Sequence, residues 1–217
     1  MKKALKDIVL SNPTSELIRA NLEAWEHSQK EQKYPVQEKA LNFLFEEACP
    51  RHDDLQQVII KVSALNDFYS TNIFDTYSVA KHIHSIQGVA ERLTKGDLTL
   101  VNDLARLTIK GKEKNFYSFA SKYCSHHKPD LYPIYDYYVA EVLIYYRNKD
   151  QFANFKRNDL REYSKFVEII RKYKVHYNLD KKYSLRDIDI FLWRIGRAVF
   201  PKRYKKIGPI WAVKKTE

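Results

Sequence analysis

Apolar positions along the chain return at three- and four-residue steps, the spacing that keeps side chains on one face of an α-helix. Leu17, Ile18, Leu22 and Trp25 make the first such series, and Asn12-Pro13 ahead of them reads as a cap followed by a first-turn proline. The polar run SQKEQKYP interrupts it, after which Ala40, Leu41, Leu44, Phe45 and Ala48 share a face up to the stop at Cys49-Pro50. Leu55, Val58, Ile59, Val62 and Leu65 follow, leading into a polar-aromatic bend at residues 66–72. Val79, Ile83, Ile86, Ala90 and Leu93 predict one helix ended by Lys95-Gly96, and Asp97 is placed to cap another that carries Leu98, Val101, Leu104, Ala105 and Leu107.

The second half repeats the pattern around one distinctive stretch. Phe116, Phe119, Ala120, Tyr123 and His127 share a helical face, Lys128-Pro129-Asp130 signals a turn, and Pro133 pushes Tyr132 towards extended backbone. The chain then reaches Asp136 uncoiled, and Asp136 is a natural N-cap for a helix with Val139, Val142, Leu143 and Tyr146. After a charged connector, Phe166, Ile169, Ile170 and Tyr173 mark a further helix. Ser184 and Asp187 read as a capping box before Ile188, Phe191, Leu192, Ile195 and Val199. No pair of alternating strands is visible. About eight helices predict an all-α protein with little or no β-sheet, built as a two-lobed bundle. Residues 55–147 form the central lobe, and residues 1–54 with 148–217 form the second, with a basic C-terminal tail.

Composition narrows the function. A chain of 217 residues that is 44% hydrophobic can bury a core, and no apolar run has membrane-spanning length, so a cytoplasmic protein without a membrane partner is expected. Two cysteines, Cys49 and Cys124, cannot complete a thiolate metal cluster, and neither His126-His127 nor His82-x-His84 puts two imidazoles on one helix face. No metal and no cofactor are expected. Walker, HExxH and GxSxG motifs are absent. The net charge of +11, with 14% aromatic residues interleaved among lysine and arginine, points to a polyanion with stackable rings, which nucleic acid supplies.

Two side chains in the distinctive stretch carry the chemistry. Lys122 lies one step off the apolar stripe of its helix, and the bend can turn that helix back towards Asp136. Lys122 followed by Pro133-Ile134-Tyr135-Asp136 and Val139 resembles the core of the helix-hairpin-helix DNA glycosylase superfamily, whose pattern is a lysine and then Pro-Val-Asp-x-x-Val. The resemblance covers about residues 55–147. It implies a Schiff-base lysine at Lys122 and a catalytic aspartate at Asp136. It also implies a duplex-entering polar residue at Asn66, after Ser63-Ala64-Leu65, and base excision from a flipped-out, damaged base, an oxidised purine by preference. Phe119, Tyr135 and Tyr138 would line the base pocket, while Arg194, Arg197, Lys202 and Arg203 would hold phosphates. DNA is the expected partner, with no obligatory protein partner. The alternatives are a non-catalytic nucleic-acid-binding module and a protein-interaction domain whose charge is incidental.

Overall fold

The computed structural model describes residues 9–27, 29 and 32–200. The protein is mostly α-helical. Among the described residues there are ten α-helices: α1 (Ser15–His27), α2 (Lys33–Phe43), α3 (Leu55–Tyr69), α4 (Thr76–Ser85), α5 (Val89–Lys95), α6 (Thr99–Ala105), α7 (Tyr117–His127), α8 (Tyr137–Asp150), α9 (Tyr163–His176) and α10 (Leu185–Val199). None is long and apolar enough to cross a membrane.

The small departures from the sequence reading have local causes. The span read as one helix at residues 79–93 is two, because Gly88 takes a left-handed φ of +67° between α4 and α5. The helix expected to carry Leu107 ends at Ala105, where β1 (Arg106–Ile109) begins and pairs antiparallel with β2 (Lys112–Asn115) across a Lys110-Gly111 turn. Both turn residues have positive φ, 49° and 72°, which matches the twist of a two-residue hairpin. The hairpin escapes pattern reading because β2 is exposed throughout and carries no apolar alternation.

α7 runs through the centre, packed by α6, α3 and α2. Every residue from Phe119 to His126 is buried, although Ser121, Lys122, Ser125 and His126 are polar. Burial of that kind requires partners. His126 is held between the Tyr69 hydroxyl at 3.0 Å and Asn42 Oδ1 at 3.2 Å, and the Tyr123 hydroxyl meets His52 Nδ1 at 3.2 Å.

Near the C-terminus of the described chain, α10 lies against α8 and α1. Gly196 makes the α8 crossing close: a Cβ there would stand 2.8 Å from both the Cβ and the carbonyl oxygen of Tyr138 and 3.0 Å from Val142 Cγ2. The capping box read at Ser184 and Asp187 is formed, so α10 starts at a defined point and its residues arrive in fixed register over α8.

Candidate functional site

The bend at residues 132–136 is tied down by side chains from four directions. The Tyr132 hydroxyl donates to the carbonyls of Arg92 and Asp97, each at 3.1 Å, and the Tyr163 hydroxyl donates to the Pro133 carbonyl at 2.8 Å. Ile134 N–H donates to Asp189 Oδ2 of α10 at 2.5 Å. From α7, Ser121 Oγ accepts from Tyr135 N–H at 3.1 Å and Ser118 Oγ donates to the Tyr135 carbonyl at 2.9 Å. A bend with its backbone groups paired in this way is rigid. It delivers Asp136 as the N-cap of α8, accepting from Tyr138 N–H at 2.9 Å in the positive end of that helix.

Lys122 is 4% exposed. Its Nζ donates to Ser118 Oγ at 2.6 Å and to the Ser118 carbonyl at 3.3 Å, and it stands 5.1 Å from the centre of the Tyr69 ring. It forms no ion pair with Asp136, yet the charges communicate. Burial lowers the Lys122 pKa below the ordinary lysine value, while the carboxylates of Asp136 and Asp189 pull it back up. Burial and the neighbouring carboxyls thus act on this amine in opposite directions, and burial is the larger of the two.

Lys122 and Asp136 line two cavities at once. One is a chamber of about 230 Å³ with aromatic walls from three separated helices: Trp25 of α1, Tyr34 of α2 and Trp193 of α10. Trp25 and Tyr34 stack at 6.0 Å between ring centres, Trp193 meets each edgewise at 5.8 and 5.0 Å, and the Arg197 guanidinium lies 4.7 Å over Tyr34. Glu38, Arg186 and Asp189 supply its polar wall, with Arg186 bonded to Glu38 at 2.6 Å. Burial pushes the Asp189 carboxyl up to about 7, against the opposing pull of Arg186. The other cavity is an open groove of about 880 Å³ bounded by Asn72, Asn115, Phe116, Tyr117, Tyr137 and Arg161. The β-hairpin runs into this groove at Asn115 and exposes Lys110, Lys112 and Lys114 ahead of it.

The residues singled out from sequence fall in three groups. Lys122, Asp136 and Tyr138 meet where chamber and groove join, with Tyr135 and Phe119 on the groove side. Phe119 is core, 1% exposed and beside Tyr123, and Tyr135 packs on Tyr117 at 4.7 Å. Asn66 is elsewhere. Its Oδ1 accepts from Thr71 Oγ1 and Ile73 N–H, and its Nδ2 donates to the Ile73 carbonyl, so its side chain is committed to holding the bend after α3. Arg197 lines the chamber, Arg194 lies 3.4 Å from Asn21, and Lys202 and Arg203 lie outside the described residues. Among the described residues no three His, Cys, Asp or Glu side chains converge as a metal site.

Sequence reading missed Tyr34, Glu38, Arg186, Asp189 and Trp193. Asp189 had a signal: it is the one polar residue in the run Ile188 to Trp193, and a carboxylate inside an apolar run asks for an explanation. Tyr34 had none, because it sits in the polar run that separates the first two helices.

The comparisons with known proteins correct one expectation. The family model that matches is HI_0787_N, described as an N-terminal domain, over residues 17–131, and no match to the helix-hairpin-helix DNA glycosylases accompanies it. The resemblance at Lys122 and Pro133-Ile134-Tyr135-Asp136 is therefore local. The structure gives a physical reason: where those enzymes have a glycine hairpin before the lysine, residues 117–121 are here the first turns of α7. A Haemophilus influenzae protein bearing the name "Uncharacterized protein" is 45% identical over 148 residues, 68% of this chain and 70% of its own length. No solved structure matches the chain. The matched residues take in Trp25, Tyr34, Glu38 and Lys122 and stop short of Asp136, and on that match the chain belongs to the HI_0787_N family.

Proposed function

We propose that this protein binds nucleic acid along the groove, admits one extruded base to the aromatic chamber, and uses Lys122 as an amine nucleophile on the sugar between them. The observation that carries this reading is the position of Lys122, a buried amine shifted towards its neutral form at the junction of an aromatic chamber and an open groove. Arg161 supplies positive charge at the groove, the exposed lysines of the hairpin lie ahead of it, and the net charge of +11 favours a polyanion. The chamber lies below the range of roughly 300–1,000 Å³ usual for drug-sized ligands, which suits a single flat ring system.

The chemistry follows from the two side chains. The Lys122 amine attacks C1′ of the sugar, the N–C1′ bond forms as the glycosidic bond breaks, and the base leaves with the bonding pair and takes a proton. Asp136, fixed at the head of α8, stabilises the positive charge that builds on the sugar. The attached nitrogen then loses a proton, its lone pair expels O4′, which is protonated, and a Schiff base remains.

The test is borohydride trapping on duplexes carrying an abasic site, uracil or 8-oxoguanine, with base release measured alongside. Wild type should form a covalent adduct that Lys122→Ala abolishes and Lys61→Met, at another buried lysine, leaves intact. Salt-sensitive binding with neither adduct nor base release would reduce the protein to a nucleic-acid-binding module. Absence of binding at physiological salt would remove both nucleic-acid readings and leave a protein-interaction domain.

A further inference from the structure

Three serines lie on α7, and the fold treats them differently. Ser121 and Ser125 are buried, whereas Ser118 is half-buried and lines the open groove. Lys122 follows Ser118 by four residues, the spacing that puts two side chains over each other on one helix face. The pair is formed: Lys122 Nζ stands 2.6 Å from Ser118 Oγ, and both residues line the groove. The Ser118 carbonyl at 3.3 Å and the Tyr69 ring at 5.1 Å fix the amine, and the Tyr135 carbonyl at 2.9 Å steadies the hydroxyl. A hydroxyl within hydrogen-bond reach of an amine, with further groups orienting that amine, is the arrangement that activates a serine nucleophile. Burial lowers the lysine pKa, which favours the neutral amine that such a base requires.

The head of α7 adds a second component. No side chain caps this helix, and its first bond runs from Ala120 N–H to the Phe116 carbonyl, so the N–H groups of Tyr117, Ser118 and Phe119 come ahead of the helical ladder. All three residues line the groove. Backbone donors at the positive end of a helix are suited to a developing oxyanion.

We infer that Ser118 and Lys122 form a serine–lysine dyad that hydrolyses carboxylic esters, with Ser118 as nucleophile and Lys122 as its general base. The walls given by Phe116, Tyr117, Tyr135 and Tyr137 suit an ester that carries a flat apolar group. This activity goes beyond the proposed sugar chemistry, since it gives the same lysine a second role and needs no nucleic acid. Ser118 Oγ attacks the acyl carbon while its proton passes to Lys122 Nζ. The bond from the acyl carbon to the alcohol oxygen breaks, and the departing oxygen takes that proton from Nζ. Water then adds to the acyl-serine and gives a proton to Nζ; the acyl–Oγ bond breaks, Oγ recovers the proton, and the free acid leaves.

The experiment combines hydrolysis of 4-nitrophenyl acetate by the full chain with fluorophosphonate labelling, the modified residue being located by peptide mass spectrometry. Wild type should be labelled at Ser118. Ser118→Ala should lower kcat/KM to the buffer background, and Lys122→Met should lower it about 100-fold or more. The wild-type rate should climb with pH and level off below the ordinary lysine pKa of about 10.4. Label or acetyl group found on Lys122 in place of Ser118, hydrolysis unchanged in a folded Ser118→Ala protein, or no labelling at all would overturn the inference. Its failure is separable from that of the sugar chemistry. Borohydride trapping at an abasic site without a label on Ser118 sinks only the dyad, and a labelled, hydrolytic Ser118 without trapping or base release sinks only the sugar chemistry.

Discussion

Two buried lysines lie close to α7, and they teach different lessons. Lys61 of α3 is fully buried, donates to the Arg51 carbonyl at 2.9 Å, and sits 5.7 and 5.5 Å from the rings of Phe45 and Tyr123 with His127 at 3.4 Å. Lys122 is almost as deeply buried, but its hydrogen bonds go to Ser118 of its own helix and its surroundings open on two cavities. Burial lowers both, Lys61 to about 8. Perturbation alone therefore does not identify a site. Lys61 holds residues 51–54 against α3 and lines neither cavity, whereas Lys122 ties nothing together and faces an empty volume between carboxylates.

The largest contrast should come from acid. Around Lys61, burial holds His52 at about 3 and His127 well below the ordinary imidazole value, with the Lys61 charge adding to both; His126, nearer Lys122, is also at about 3 through burial. These histidines are neutral in the fold. The unfolded chain takes up their protons as pH falls through about 6.5 and the folded chain resists until about 3, so stability present above 6.5 is lost across that window. For His126 alone the full loss is on the order of 5 kcal/mol. Asp189 works in the opposite sense, since a carboxyl raised to about 7 favours the fold as pH falls from 7 towards 4, but it is one group against three. Thermal unfolding followed by circular dichroism should show Tm falling steeply between pH 6.5 and 4. A flat profile would mean that the histidine cluster is not closed to protons.

An intermediate effect is expected at Gly196. Gly196→Ala places a methyl group against the Tyr138 carbonyl, which belongs to helix backbone and cannot step aside, so α10 must move on α8. Overpacking of this kind costs about 1–3 kcal/mol. Because Asp189 sits on α10 and Asp136 heads α8, adduct formation should drop more than stability does, while the amide exchange rates of the Lys61 region stay as in wild type. Equal loss of exchange protection in both regions would show that the two ends of α7 are not independent.

The smallest effect compares the lysines directly. Lys122→Met removes a buried cation whose bonds only loop back to its own helix, and stability at neutral pH should rise by about 1 kcal/mol. Lys61→Met also relieves burial of a charge but gives up the bond to Arg51, and the two changes should offset to within about 1 kcal/mol. Urea titrations of the two variants check this. A loss of stability in Lys122→Met would assign that lysine to the framework.

Much of the fold was written in the spacing of apolar residues. The α7 and α8 faces, the turn at Lys128-Pro129-Asp130, the Asp136 cap and the Ser184-Asp187 box depend on contacts within a few residues, and local sequence decides those. The β-hairpin was not legible, because its second strand buries nothing and its turn conformation leaves only a Lys-Gly pair as a trace. Of the site, the sequence determined Lys122 and Asp136 as a pair on either side of one bend. What the tertiary structure alone decided is the setting: Trp25, Tyr34 and Trp193 are brought from three helices into one wall, and Asp189 is carried from α10 to the Ile134 amide 55 residues away. A helix pattern records which face is buried and not what buries it. The partners of a buried polar group, and the lack of one at Asp189 Oδ1, emerge only when distant elements close on each other.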